Sequence, residues 1–196
     1  MTDVILFHHA QGLTPGVVAF ADELRAAGHR IEVPDLYGGR TLATVEEGVA
    51  HAGSIGFDNL IAAGVAAADK LPADIVYGGF SLGALPAQKL AQTRPGALGA
   101  LLYHGDVPVT AFGDSWPAGV DVQLHTNEAD EWCDLDVMRD MVEGVEAVAT
   151  AELFVYPGSS HLFTDSSLDA YEPGSAALVI ERTLEFLERK GSSSRH

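Results

Sequence analysis

One serine of this sequence, Ser81, lies in a motif that could make it a nucleophile. Residues 79–83 read GFSLG, so Gly79 stands two positions before the serine and Gly83 two positions after it. In a sharp strand-to-helix turn this spacing projects the hydroxyl clear of the sheet, and the small residues let strand and helix approach closely. The first N–H groups of the helix then face the reacting atoms. Two alternative interpretations are a plain glycine-rich turn and a phosphate-binding turn with Ser81 as the helix N-cap.

A serine hydroxyl is a weak nucleophile until a base removes its proton, and that base needs an acid to orient it. In a strand–turn–helix site of this kind the acid follows a later strand and the histidine comes last. His161 lies in the loop after the last apolar run, so the sequence predicts it as the base. Four of the acidic residues that follow the preceding run are candidates for the acid: Glu128, Asp130, Asp134 and Asp136. The last two suit a helix N-cap or first turn, whereas the spacing leaves both Asp130 and Glu128 open as the acid.

Short apolar runs alternate with longer helical patterns along almost the whole chain, and these elements must position the candidate residues. The predicted strands are Val4–Phe7, His29–Val33, Asp74–Tyr77, Ala100–Tyr103, Val120–His125 and Leu153–Tyr156. The predicted helices are Pro15–Ala27, Val45–Ala52, Asp58–Leu71, Leu82–Gln92, Leu135–Ala149 and Gly174–Arg189. Several runs are continuously apolar, as expected for strands covered on both faces. The alternation predicts an α/β fold of about six mostly parallel strands with helices on both faces, and functional residues beyond the carboxyl ends of the strands.

Length and composition predict one soluble domain. The chain has 196 residues, 47% of them apolar, which is enough for a single core. We expect residues 1–190 to form this domain and residues 191–196 to form a flexible tail. The formal net charge of −17 disfavours nucleic acid and an anionic membrane as partners. With a single cysteine and no signal-peptide pattern, the sequence predicts a cytoplasmic protein. A monomer or small homo-oligomer is the default expectation, which no sequence feature sets.

Two further side chains are candidates for contact with a substrate. His9 follows the first apolar run, where it either lines the site or forms local hydrogen bonds. Arg40 follows the second run and either holds an acidic group of the substrate or is solvated. Trp132 and Cys133, just after Asp130, either wall the site or pack in the core. The sequence has no HExxH or HxH pattern and no cysteine cluster, so it predicts no metal site.

Several stretches of the chain resemble the dienelactone hydrolase family of α/β-hydrolases, and the resemblance extends over residues 4–188. The matching stretches are the motif around Ser81 and residues 7–13 (FHHAQGL), 33–38 (VPDLYG), 125–130 (HTNEAD), 156–165 (YPGSSHLFTD) and 181–187 (ERTLEFL). The resemblance implies a minimal α/β-hydrolase fold.

The same resemblance implies a role for five residues. Ser81 would be the nucleophile, Asp130 the acid and His161 the base, while the backbone N–H groups of Ala10 and Leu82 would form an oxyanion hole. The implied activity is cleavage of a small carboxylic ester or lactone through an acyl-enzyme, with no cofactor. On this ground Asp130 is favoured over the alternative acid.

Two positions depart from the family's pattern. The namesake enzymes have a cysteine where this chain has Ser81, and a glutamate in the first loop where it has His9. Both changes favour an ordinary serine hydrolase and argue against dienelactone as the substrate. A thioester substrate, or transfer of the acyl group to an acceptor other than water, would use the same residues. A scaffold that binds a ligand without catalysis is the hypothesis from another class.

Overall fold

A six-stranded sheet forms the centre of the computed structural model, which describes residues 1–193. The strands are β1 (Asp3–Phe7), β2 (Arg30–Glu32), β3 (Val76–Phe80), β4 (Gly99–Tyr103), β5 (Asp121–Asn127) and β6 (Ala151–Tyr156). They pair in parallel, in the order β2-β1-β3-β4-β5-β6. The chain builds outward from β1 in one direction, then crosses to β3 and builds in the other. The loops that leave β1 and β3 therefore diverge at one crevice, where ligands of such sheets bind.

Within residues 1–193, six helices cover the two faces of this sheet. They are α1 (Pro15–Ala26), α2 (Val45–Ile55), α3 (Phe57–Ala68), α4 (Ala84–Thr93), α5 (Leu135–Glu146) and α6 (Pro173–Ser193). Successive side chains of a strand point to opposite faces. Thus Val4 and Leu6 of β1 pack in one core with α1 and α6, whereas Ile5 and Phe7 pack in the other with α3, α4 and α5. The continuous apolar run of β1 serves both cores.

The predicted architecture is confirmed, with each predicted strand and helix overlapping an observed one. The helix predicted from Leu82 begins instead at Ala84, because residues 81–83 form a short 3₁₀ turn. The predicted tail starts too early, since α6 continues through Ser193. Gly191 allows this, because a Cβ there would lie 2.9 Å from Oγ1 of Thr2, so the helix passes tightly over the start of the chain. The rest of the predicted tail, residues 194–196, lies outside the described residues.

The length and hydropathy of the helices show whether any of them could span a membrane. None of the helices within residues 1–193 is both long enough and apolar enough to cross a membrane.

Candidate active site

Ser81 lies directly after β3 in a turn that its flanking glycines allow. Its φ of 49° is in the left-handed region that residues other than glycine seldom adopt. A Cβ on Gly79 would lie 2.0 Å from the carbonyl oxygen of Gly83, and a Cβ on Gly83 would lie 2.4 Å from that of Phe7. Because only glycine fits at both positions, the backbone folds tightly enough to present the hydroxyl at the end of β3.

His161 connects this hydroxyl to a buried carboxylate. Its Nε2 lies 2.8 Å from Oγ of Ser81, and its Nδ1 lies 2.7 Å from Oδ2 of Asp130. If Nδ1–H donates to the carboxylate, the lone pair of Nε2 faces the serine hydroxyl. The three side chains come from the loops after β3, β5 and β6, which the parallel sheet brings together at one edge. The arrangement can move a proton from serine to imidazole.

Several hydrogen-bond donors surround the carboxylate of Asp130. Burial by itself raises the pKa of this carboxyl, but donation from His161, the N–H of Trp132 and the thiol of Cys133 outweighs burial, so the pKa is lowered. The backbone nitrogen of Trp132 lies 3.0 Å from Oδ1 of Asp130, and Sγ of Cys133 lies 3.3 Å from Oδ2. An ionised carboxylate stabilises the imidazolium that forms when the base takes a proton. Glu128, the alternative acid, is exposed to solvent, and it is Asp130 that contacts His161.

The backbone N–H groups of Ala10 and Leu82 lie in the two loops that meet at the crevice between β1 and β3. Within residues 1–193, no backbone hydrogen bond outside the helices and strands uses either group as donor. Leu82 is the second residue of the 3₁₀ turn, whose first N–H groups have no partner inside the turn. Ala10 is packed against α2, where a Cβ on Gly48 would lie 2.3 Å from its carbonyl oxygen. Both N–H groups thus remain candidates for donation to an oxyanion.

Two further residues with positive φ surround the base. His104, directly after β4, and Leu162, directly after His161, each have φ of 59°. Nε2 of His104 lies 2.8 Å from Oγ1 of Thr164, and the ring centroids of His104 and His161 are 5.9 Å apart. Burial, with smaller contributions from nearby histidines, lowers the pKa of His104 well below its usual value, so it packs beside the base as a neutral ring. Sequence reasoning missed His104, although its place at the carboxyl end of a strand is a usable signal.

The structure separates the two residues predicted to contact substrate. His9 is 1% exposed, its Nε2 lies 2.7 Å from Oδ2 of Asp165, and its Nδ1 accepts the N–H of Gln11 at 3.2 Å. A side chain so enclosed presents no surface to a substrate, so the alternative of local hydrogen bonding replaces the expected contact. Arg40 is exposed in the loop before α2, and its guanidinium contacts no acidic side chain among the described residues. Its contact with substrate stays a prediction.

Two open cavities lie near the candidate residues, one with His161 in its wall and the other with Trp132. The first, of about 460 Å³, is lined by Gln11, Ala43, Thr44, Val45, Glu46, His161, Ser167, Leu168, Asp169 and Ala170. The second, of about 410 Å³, is lined by Glu128, Glu131, Trp132, Cys133, Asp134, Leu135 and Asp136. The ring centroid of Trp132 lies 5.9 Å from that of His161, so this tryptophan borders the site. The adjoining Cys133 lines the second cavity and also packs against the core. Carboxylates line both cavities, and no lysine or arginine is among the lining residues.

One group of side chains in the described part of the chain offers three metal-ligating atoms. The atoms belong to Asp130, Cys133 and His161 and lie within 4.8 Å of one another. The carboxylate and the imidazole already pair with each other, and burial raises the pKa of the thiol. A metal ion here would have to break that pair and deprotonate the cysteine, so the geometry favours proton transfer over metal binding.

Comparisons with known proteins bear on the family and the fold. The sequence model of the dienelactone hydrolase family matches residues 1–191. Among curated proteins none matches the sequence. The fold is similar to that of m3DLH (20% identity, 95% of this chain and 85% of that chain, TM-score 0.75). It is also similar to esterase 2 of Thermogutta terrifontis phosphonylated by cyclosarin (15% identity, 97% of this chain and 83% of that chain, TM-score 0.74). A third similar structure is a dienelactone hydrolase-like promiscuous phosphotriesterase from metagenomic libraries (16% identity, 96% of this chain and 86% of that chain, TM-score 0.73).

Proposed function

Because the chain belongs to the dienelactone hydrolase family, we propose that it is a serine hydrolase that cleaves a small carboxylic ester or lactone through an acyl-enzyme. The observation that carries the proposal is the continuous relay from Ser81 through His161 to Asp130, with hydrogen-bond distances of 2.8 and 2.7 Å. A fold of this kind supports many activities, so the relay rather than the fold specifies the chemistry.

Acylation begins when Nε2 of His161 takes the proton of Ser81 as Oγ attacks the carbonyl carbon. Asp130 keeps the imidazole in the productive tautomer and stabilises the imidazolium. The carbonyl oxygen becomes an oxyanion that accepts hydrogen bonds from the N–H groups of Ala10 and Leu82, each worth about 3 kcal/mol in such sites. When the tetrahedral intermediate collapses, the ester C–O bond breaks and His161 gives its proton to the leaving alcohol.

Deacylation repeats the same steps with water as the nucleophile. His161 removes a proton from water, hydroxide adds to the acyl carbon, and the proton returns to Oγ of Ser81 as the acid product leaves. These steps use only side chains and backbone N–H groups of this chain and need no cofactor. The cavity that His161 lines, of about 460 Å³ and open to solvent, suits a small acyl or alkoxy group.

Hydrolysis of p-nitrophenyl acetate by three proteins tests the proposal: wild type, Ser81→Ala and Ser54→Ala. Ser54 is a matched control, because its exposed hydroxyl donates within α2 to the carbonyl oxygen of His51 and has no other hydrogen-bond partner among residues 1–193. We expect wild type and Ser54→Ala to have equal kcat, and Ser81→Ala to lose roughly 1,000-fold or more. A folded Ser81→Ala protein with wild-type kcat would overturn the assignment.

A further inference from the structure

A buried carboxylate outside the proton relay, Asp165, ties together three segments of the site. Its Oδ2 accepts the Nε2–H of His9 at 2.7 Å and the hydroxyl of Thr14. Its Oδ1 accepts the N–H and the hydroxyl of Ser167, at 2.8 and 2.6 Å. It is 3% exposed, and a Cβ on Gly16 would lie 1.7 Å from Oδ1, so the carboxylate rests on the first turn of α1.

The donor on His9 is fixed by the turn that follows it. Nδ1 of this ring accepts the backbone N–H of Gln11 at 3.2 Å, so the proton of the neutral ring is on Nε2, where it points at Asp165. The ring thus spans the backbone of Ala10, bonding to the residue after it and to a carboxylate outside the loop. The turn is closed by a further bond from the N–H of Gly12 to the carbonyl oxygen of His9, 3.0 Å long.

The segments joined in this way hold different parts of the proposed catalytic apparatus. His9 precedes Ala10, whose N–H is a proposed oxyanion donor, and Asp165 belongs to the same loop as His161. Within residues 1–193, no backbone-to-backbone hydrogen bond outside the helices and strands joins this loop to the segment before Ala10. The His9–Asp165 pair supplies that bond at 2.7 Å, with both side chains almost fully buried.

We propose that His9 and Asp165 are positioning residues, which hold the N–H of Ala10 in register with His161 for stabilisation of the oxyanion. The inference rests on the proposed function and adds to it a reason why a histidine stands in the first loop. Small displacements of a catalytic group cost rate rather than binding, and a shift near 1 Å can cost about 100-fold. The pair therefore affects kcat more than KM.

Two substitutions of His9 separate its two hydrogen bonds. In His9→Asn the short amide can still accept the N–H of Gln11 but cannot reach Asp165, whereas in His9→Gln the longer amide can donate to Asp165. We expect His9→Asn and Asp165→Asn each to lower kcat for p-nitrophenyl acetate roughly 10- to 100-fold, with KM changed less than about twofold. His9→Gln should recover most of this loss.

Two more readouts distinguish positioning from plain destabilisation. Phenylboronic acid forms a tetrahedral adduct on a reactive serine with an oxygen in the oxyanion hole, so its inhibition constant should weaken in parallel with kcat. The control is Asp121→Asn, which breaks the Asp121–Lys190 ion pair at the amino end of β5 and should lower Tm without changing kcat. Should Asp165→Asn fail to fold, His9→Asn, which keeps the carboxylate and its other donors, carries the test.

The possible outcomes are distinct for the two proposals. Unchanged kcat and boronate affinity in folded His9→Asn and Asp165→Asn would overturn the positioning role while leaving the proposed function intact. If wild type itself neither hydrolyses the ester nor binds the boronate, the proposed function fails. A joint loss of kcat and boronate affinity, with recovery in His9→Gln, supports both.

Discussion

The carboxylate of Asp130 is where the side chains of the site depend most on one another. It receives hydrogen bonds from His161, from the backbone of Trp132 and from the thiol of Cys133. An amide of the same shape would keep part of this geometry but would favour the wrong tautomer of the imidazole. In the proposed mechanism Asp130 therefore acts on the hydroxyl of Ser81 through His161.

Replacement of Asp130 by asparagine tests this dependence. We expect Asp130→Asn to lower kcat for p-nitrophenyl acetate roughly 1,000- to 10,000-fold with little change in KM. Glu128→Gln is the matched control, because it neutralises an exposed acid two residues earlier and should leave kcat unchanged. Equal losses in both variants would mean that net charge near the site, not a specific acid, sets the rate.

The pKa of Asp165 gives a prediction on stability. Burial raises the pKa of this carboxyl, but hydrogen bonds from His9, Ser167 and Thr14 outweigh burial and lower the pKa to about 2. Because the folded-state pKa lies below the unfolded value, the stabilisation is present above about pH 4 and is lost as pH falls towards 2. Between pH 4 and pH 2 the free energy of unfolding, measured with urea, should fall by about 2 kcal/mol more in wild type than in Asp165→Asn. Parallel pH profiles would contradict this.

Residues differ in how far the sequence could reveal their roles. The pairing of Ser81 with His161, whose side chains lie 2.8 Å apart, could be proposed from the sequence because a spaced motif and chain order mark both residues. Asp130 needed the family resemblance, since spacing alone left Glu128 open. The roles of His104 and Asp165 depend on contacts between residues 60 and 156 positions apart, which no local pattern encodes.

At the scale of elements, the turn between β3 and α4 depends on close backbone packing. Gly79 faces the carbonyl of Gly83, which in turn faces Phe7 at the end of β1. These two crowded contacts thus hold the turn at Ser81 against the end of β1. The strain at Ser81 is tolerated because these contacts leave the turn no other path.

Alanine at two glycines should have opposite effects on stability. Gly79→Ala places a Cβ 2.0 Å from backbone and should cost about 3 kcal/mol or more. Gly53→Ala, within α2 with open space around it, should instead stabilise the protein by about 1 kcal/mol. Urea unfolding of both variants beside wild type measures this difference. A mild effect of Gly79→Ala would show that the turn can relax.

Elements were predictable where a pattern repeats locally, and less so at their ends. The continuous run of β1 indicated a strand covered on both faces, and the two cores confirm it. The start of α4 was wrong by two residues because the 3₁₀ turn depends on contacts of Gly83 with β1. The predicted end of α6 was wrong because Gly191 packs on residues at the other end of the chain, a contact that no local pattern shows.

At the scale of the whole molecule, negative charge surrounds the candidate active site. The net charge is −17, and acidic side chains line both the cavity at His161 and the cavity at Trp132: Glu46, Glu128, Glu131, Asp134, Asp136 and Asp169. A cleft lined by one sign of charge concentrates its field and repels ligands of the same sign. Such a cleft disfavours substrates that carry a carboxylate.

Two p-nitrophenyl esters of similar size test this effect. The succinate monoester carries a carboxylate where the valerate ester has an apolar end. At low salt we expect kcat/KM for the succinate to be about 10-fold lower, and the gap should narrow near 1 M salt, where the screening length is about 3 Å. A preference for the succinate would instead point to a basic contact such as Arg40.

Covalent labelling of the nucleophile tests the central claim most directly. Phenylmethanesulfonyl fluoride transfers its sulfonyl group to an activated serine, and the mass of the intact protein followed by peptide mapping locates the label. We predict one sulfonyl group per wild-type chain on Ser81, no label in Ser81→Ala and much slower labelling in Asp130→Asn, with ester hydrolysis lost in step. A label on another residue, or hydrolysis that persists in Ser81→Ala, would contradict the proposed role of this serine.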